Sequence, residues 1–439
     1  MQSIDDVITI FEKHGAVSIL AKKLSPNDNS KNQVYLGGDF TVLQQLPHDD
    51  IVYDSTSVAD SKRERAKASI KLLWLTENGK FAAPNAQLIL YPKYPEVRMS
   101  GFLKGCKNPP SSVMTVRDEG RVLIFGITAN REILAYAAAQ GSNIANEINS
   151  RSDLQLRGIF VELPFAKSGK SSKQILIERL TAIHGKGWIA SQKMSADGSI
   201  KCYRASNGGG YTLEAELGII PNGYSEPDFM GWEIKQYGVT DFSKYRPKSP
   251  VTLMTPEPTS GFYRDAGLEQ FMRRYGYKDK SGKADRINFG GIYKTGKAHH
   301  SDTGLALELS GYDREKEIIT DVNGGILLID KGGEIAAKWD LTAIIDHWNR
   351  KHAQAAYLPS IKRLPIPEYM YGPKLLLCEN TSFVHLLNAL YDGVVYYDPG
   401  IKIEINKDGI PKSKRRSQFR IKHSDLGSMY SKSYIEMLS

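Results

Sequence analysis

Gly, Pro, Asn and Asp cut residues 16–130 into apolar runs too short for helices: AVSILAKKL, NQVYLG, SIKLLWLT, AQLILYP, EVRMSGFL and RVLIFGIT. Runs of that length between turn formers read as β-strands. A chain that opens this way must close its strands on one another, as a small barrel or sandwich. One amphipathic helix precedes them, with Ile4, Val7, Ile8 and Phe11 at helical spacing. A second helix is expected over 130–150, from NREILAYAAAQGSNIANEI.

Further along the pattern changes. The stretch 151–174 carries GIFVELPF and then KSGKSSK, whose Ser, Gly and Lys read as an exposed linker. From about 175 helical and strand patterns mix. QILIERLTAIHGKGW is helical, and KCYRASNGGGYTLEAELGI reads as a strand, a glycine-rich turn and a helix with Thr212 as N-cap. GGILLID and PKLLLCE read as strands, and AIIDHWNRKHAQAAYL as a helix. The expected organisation is an all-β domain with flanking helices over 1–150, a linker over 151–174 and an α/β domain over 175–439.

Composition narrows the setting. Hydrophobic residues make up 41% and charged residues 24%, as in folded globular proteins. The net charge of +9 favours an anionic partner. Cys106, Cys202 and Cys378 are far apart, which fits neither a zinc ribbon nor a disulfide framework. Three lone thiols, an N-terminus without a signal-peptide pattern and no long apolar run point to the cytoplasm.

SEPDFMGWEIKQYG, residues 225–238, holds the chemistry. Side chains alternate along a strand, so Glu233 and Lys235 share one face while Trp232, Ile234 and Gln236 take the other. Asp228 precedes them across FMGW and can converge on the same edge. Two carboxylates there make a hard-oxygen site suited to Mg²⁺, with Mn²⁺ as a substitute. The lysine beside them can hold a water or stabilise charge on a phosphorane, so the set suits phosphodiester hydrolysis. Read alone, D-x4-E-x-K also fits a solvated strand face. Glu214, on a helix upstream, can complete or tune the site, or can be an ordinary surface carboxylate beside Glu216.

The run GGGYTLEAELG…SEPDFMGWEIK resembles the catalytic core of the MvaI/BcnI restriction endonucleases, a branch of the PD-(D/E)XK nucleases related to mismatch-repair strand nickases. Glu214, Asp228, Glu233 and Lys235 match the family's helix glutamate, Pro-Asp aspartate and Glu-x-Lys pair. VTLMTPEPTSGFY (251–263) and FMRRYGYKD (271–279) extend the likeness, which covers roughly 175–439. It implies Mg²⁺-dependent cleavage of duplex DNA by a monomer that cuts or nicks one strand at a time.

Two further regions read as DNA contacts. KSKRRSQFRIK, residues 412–422, has six basic residues and no acid. It fits a solvated basic loop, but beside a nuclease Arg can pair with guanine and Gln with adenine, and Lys can bind phosphate. Candidates are Lys414, Arg415, Arg416, Gln418 and Arg420, with Asp398 and Lys402 of YYDPGIKIE beside them. In the N-terminal half, Asn27, Asp28, Asn29, Lys31 and Gln33 form a polar loop next to Lys23. A second loop carries Glu96, Arg98, Ser100 and Lys104. The two loops resemble the EcoRII-type effector domain, a DNA-binding pseudobarrel that grips the major groove. Val97 stands where that family has a lysine between the glutamate and the arginine.

Together the resemblances imply a type II restriction endonuclease acting at a CCWGG-type site (W being A or T). The N-terminal domain would bind a second copy of the site, and a cognate DNA methyltransferase would protect the host. A mismatch-repair-type nickase and a non-catalytic DNA-binding protein are the alternatives.

Overall fold

The structure is a computed structural model of the 439-residue chain. It describes all residues except 27–32, 55–63, 77–78, 94, 166–168, 221–226, 246 and 406–410. Asn27, Asp28, Asn29 and Lys31 lie outside the described residues.

The chain forms two compact units. One comprises Met1–Arg246, Asn349–Thr381 and Lys432–Ser439, and the other comprises Pro247–Trp348 and Ser382–Ser431.

The first unit begins with a predominantly β region. Among the described residues, Leu156–Arg157, Phe160–Glu162, Ala16–Lys23, Val122–Thr128, Glu132–Ala138, Lys71–Thr76 and Gly79–Ala83 form one sheet, in that order. A second sheet runs Val34–Tyr35, Glu96–Ser100, Gln87–Tyr91, Ala66–Ser69, Val52–Tyr53. Helix Ile4–Lys13 buries the four apolar positions read from its periodicity, and with helix Asn143–Ser150 it covers a core containing Ile19, Ile124 and Leu134. Ser3 and Asp6 form a capping box that sets its start.

Two strands replace expected helix. Glu132–Ala138 pairs on both sides, antiparallel to Val122–Thr128 and parallel to Lys71–Thr76, and only Asn143–Ser150 is helical. A strand buried on both faces loses its alternation, so its apolar run looks like a buried helix. The same holds for AIIDHWNRKHAQAAYL. Its helix is Leu341–Lys351, and its last residues begin the central strand Gln354–Arg363, buried from Gln354 to Ser360. Residues 156–162, inside the stretch read as a linker, supply two strands to the N-terminal sheet.

The same unit carries a mixed sheet in the order Trp188–Ala190, Glu368–Tyr371, Gln354–Arg363, Lys374–Glu379, Lys432–Met437. Glu233–Gly238 pairs parallel to Gln354–Arg363, with Glu233 opposite Ala355 and Lys235 opposite Tyr357. Helix Ser172–Gly185, capped by a Ser171–Gln174 box, packs Leu176, Leu180 and Ile183 into a core with Trp232, Ile234, Leu358 and Leu377.

In the second unit, Leu305–Ser310, Gly325–Asp330 and Ile335–Asp340 form one antiparallel sheet. Tyr277–Lys278, Arg286–Gly290, Gly400–Ile405 and Pro411–Lys414 form another. Val251–Met254, Phe419–Ile421 and Tyr396–Tyr397 form a third, packed through Trp339, Tyr397 and Phe419.

Candidate active site and nucleic-acid contacts

The FMGW segment is a tight hairpin turn. Phe229 and Trp232 exchange backbone bonds, with N–O distances of 3.0 and 2.8 Å. Met230 and Gly231 both have positive φ, 48° and 85°, the signature of a two-residue turn of the primed type. The turn folds Asp228 back beside the strand that follows, and its Oδ2 accepts from the Ile234 amide at 2.9 Å. Trp232 and Ile234 point into the core, 0% and 5% exposed. Glu233 and Lys235 take the other face, as alternation predicts.

Glu233 is fully buried and accepts a hydrogen bond from the Lys235 ammonium, whose side chain is 28% exposed. Burial alone would depress the Lys235 pKa. The negative charges of Glu233, Asp228 and Glu214 and the hydrogen bond to Glu233 outweigh it and hold the ammonium above the ordinary lysine value. All three carboxylates therefore act on one cation.

Glu214 lies on helix Gly208–Glu216, whose N-cap is Asn207. Thr212 is not the cap. It sits inside the helix, and its hydroxyl accepts from the Gln192 amide at 3.0 Å. Gly208 and Gly209 allow close packing. A Cβ on Gly209 would lie 2.8 Å from Gln236 Oε1, and one on Gly208 would lie 3.0 Å from the Tyr369 hydroxyl. Tyr371 donates to the Gly209 carbonyl at 2.7 Å. The helix is thus locked against the strand carrying Glu233. Glu216 is tied to Lys186 and Gln192, each at 2.6 Å.

Among the described residues no group of three or more His, Cys, Asp and Glu side chains is arranged to hold a metal ion. The Asp228–Glu233 pair still fits Mg²⁺. It offers oxygen donors only, and Mg²⁺ takes one or two carboxylates and keeps several waters. A cavity of about 480 Å³ opens beside Asp228, lined also by Gln44, His48, Arg157, Met230 and Arg350.

The family model described as "MvaI/BcnI restriction endonuclease family" matches residues 177–430. The chain belongs to the MvaI/BcnI restriction endonuclease family. Residues 1–176 lie outside the family match. A comparison with curated protein sequences gave no match. Among solved structures, MvaI in complex with its cognate DNA substrate is similar at 18% identity and a TM-score of 0.45, over 62% of this chain and 99% of that one. MvaI in the absence of DNA is similar at 17% identity and a TM-score of 0.34, over 61% of this chain and 98% of that one.

Within the family region, Lys414, Arg415 and Arg416 are exposed, with Arg415 3.8 Å from Glu257. Lys402 pairs opposite Lys414 across two strands and contacts Glu404 at 2.9 Å. Arg420 is engaged internally, donating to Asp398 at 2.7 Å and to the Pro250 carbonyl at 2.8 Å. Gln418 is half-buried, and its carbonyl accepts from the Asp398 amide.

In the N-terminal half, Glu96, Arg98 and Ser100 share one face of a strand whose other face buries Val97 and Met99. Arg98 contacts Glu96 and donates to Gln33 Oε1 at 3.2 Å, which joins the two candidate loops. Lys23 is exposed and donates to the Asn149 carbonyl at 3.2 Å. Tyr35, half-exposed and opposite Arg98, joins this polar surface. Sequence reading missed Tyr35, although its alternation with Val34 was available. It also missed the buried Arg157, which no local motif marks.

Proposed function

We propose that the chain is a Mg²⁺-dependent, sequence-specific endonuclease of PD-(D/E)XK type that cuts duplex DNA at a CCWGG-type site. The observation that carries this is the Met230–Gly231 turn, which sets Asp228 against the strand of Glu233 and Lys235 in a chain of a restriction endonuclease family. Asp228 and Glu233 would hold the metal, which when bound polarises the scissile phosphate and lowers the pKa of its water. Lys235 orients the attacking water and offsets the negative charge that builds on the phosphorus oxygens. Glu214 tunes the site or orients water or a second metal.

Residues 1–150 act in this reading as an effector pseudobarrel, joined through 151–174 to the nuclease domain at 175–439. Gln33, Glu96 and Arg98, with Lys23, Ser100 and the loop of Asn27, Asp28, Asn29 and Lys31, contact one copy of the site. Lys402, Lys414, Arg415, Arg416 and Gln418 contact the copy that is cut. Two modest contacts on one monomer gain strength through effective concentration. A methyltransferase of the same specificity protects the host.

The test is digestion of plasmid DNA with Mg²⁺ or Mn²⁺, beside Asp228→Ala, followed by sequencing of the ends. Discrete fragments that share one short sequence and vanish in the variant are expected. Intact plasmid, or cutting unaffected by Asp228→Ala, refutes the assignment. Equal rates on one-site and multi-site DNA refute the effector role.

A further inference from the structure

Arg157 is 3% exposed, on the edge strand Leu156–Arg157 of the N-terminal sheet. A buried guanidinium must spend its donors on protein acceptors. Arg157 donates to Ser18 Oγ at 3.4 Å and to Gln354 Oε1, and its Nε lies 3.5 Å from Glu162 Oε2. Glu162 Oε1 accepts from the first amide of helix Ser172–Gly185 at 3.0 Å, and Trp232 Nε1 reaches Ser172 Oγ at 3.4 Å.

Two neighbours of Arg157, Gly231 and Gln354, flank the candidate active site. A Cβ on Gly231 would lie 2.6 Å from Arg157 Nη2, so the guanidinium rests directly on the turn between Asp228 and Glu233. Gln354 is the residue before Ala355, which pairs with Glu233. Arg157 therefore holds the turn that enters the Glu233 strand and the strand beside it. Its plane and forked donors suit that double contact, and a lysine cannot reproduce it.

We propose that Arg157 is a positioning residue for the nuclease centre, contributed by the N-terminal sheet. This rests on assigning the centre to Asp228, Glu233 and Lys235. Arg157 sets the height of the Met230–Gly231 turn, and with it the separation of the Asp228 and Glu233 carboxylates. Ser18 belongs to strand Ala16–Lys23, which precedes the candidate DNA-contact segment 27–33 in the sequence. The N-terminal half thereby takes part in the geometry of cleavage.

The test uses the full chain with Arg157→Lys, which keeps a cation beside Glu162 and loses the fork. Hydrogen exchange across 228–238 reads the Asp228–Ile234 contact directly. Plasmid cleavage reads kcat and KM. The expected result is exchange faster by about tenfold in 228–238 with 374–379 unchanged, and kcat lower by about 10–100-fold at constant KM, the range for residues that orient metal ligands. Gln354→Leu removes one tether while leaving Arg157 and the residues of the turn unsubstituted, and is expected to move both readouts the same way. It decides the matter if Arg157→Lys does not fold. Unchanged exchange at 228–238, or faster exchange throughout the sheet, overturns the proposal. If the wild-type chain does not cleave DNA, the nuclease reading falls, and the exchange data still decide the positioning role.

Discussion

Replacing Lys235 with Met should make stability depend on pH in a way the wild-type chain does not. The Glu233 side chain is 1% exposed, and Lys235 is the cation in contact with it. Losing that ammonium removes a counter-charge from a buried carboxylate near Asp228, which favours its protonated form. Holding a proton on a carboxyl of ordinary pKa, ~4.3, costs ~1.4 kcal/mol for each pH unit above that value, or ~4 kcal/mol at pH 7.3. That agrees with the ~3–5 kcal/mol typical of breaking a buried ion pair. It is a ceiling, because Lys235 is partly exposed and water can enter the space it leaves.

The sign follows from linkage. In the variant the folded state binds the proton more tightly than the unfolded chain, so stability is fully present in acid and falls as pH rises. The deficit should be ~1 kcal/mol at pH 5 and approach ~4 kcal/mol at pH 7.3. In the wild-type chain the raised Lys235 pKa works at the other end: its contribution is complete below the ordinary lysine value and is lost as pH climbs through the folded value. Urea unfolding of both proteins at pH 5, 6 and 7.3 in metal-free buffer measures this. Glu233→Gln combined with Lys235→Met should abolish the slope. A deficit that is constant with pH, or a double variant that keeps the slope, would refute the argument.

Two further predictions concern packing and DNA binding. Gly209→Ala should cost about 1–3 kcal/mol in urea unfolding, because its Cβ meets Gln236 and Tyr369; Gly210→Ala, in the same helix with nothing within 4 Å of its Cβ, should be neutral or stabilise by about 1 kcal/mol. Arg415→Ala with Arg416→Ala should weaken duplex binding and reduce the log–log salt slope by ~0.9 for each phosphate that the variant no longer neutralises, while Arg420→Ala should lower the melting temperature because it breaks the ties to Asp398 and Pro250.

How much of this was legible in the sequence depended on whether the signal was local. The short strands of the N-terminal half carried their own punctuation, and the helix Ile4–Lys13 its own periodicity. Glu233 and Lys235 could be placed on one face from alternation alone. Gln354–Arg363 could not be read as a strand, because a central strand buried on both faces looks like any apolar run. Arg157 was invisible for another reason. Its partners Ser18, Glu162, Gln354 and Gly231 come from distant parts of the chain, and no spacing rule connects them. Arg420 stood in a basic run that looked wholly solvent-facing, and only the fold shows that its charge is spent on Asp398.

The spacing of Asp228 and Glu233 shows why a short motif can carry a mechanism. The residues between them are a turn in which two consecutive positions have positive φ, and Gly231 meets that need without strain. Met230 accepts the same conformation at a cost of about 1–2 kcal/mol. The surrounding structure supplies the offset: the Phe229–Trp232 backbone pair, the buried Trp232 ring and the Arg157 guanidinium all hold the turn closed. One residue more would widen the loop, break the Phe229–Trp232 pair and carry Asp228 away from the Ile234 amide. One residue fewer could not form the pair at all. The acid-to-acid spacing is therefore set by hairpin geometry, and the chemistry assigned to Asp228 depends on glycine at 231 as much as on the carboxylates themselves.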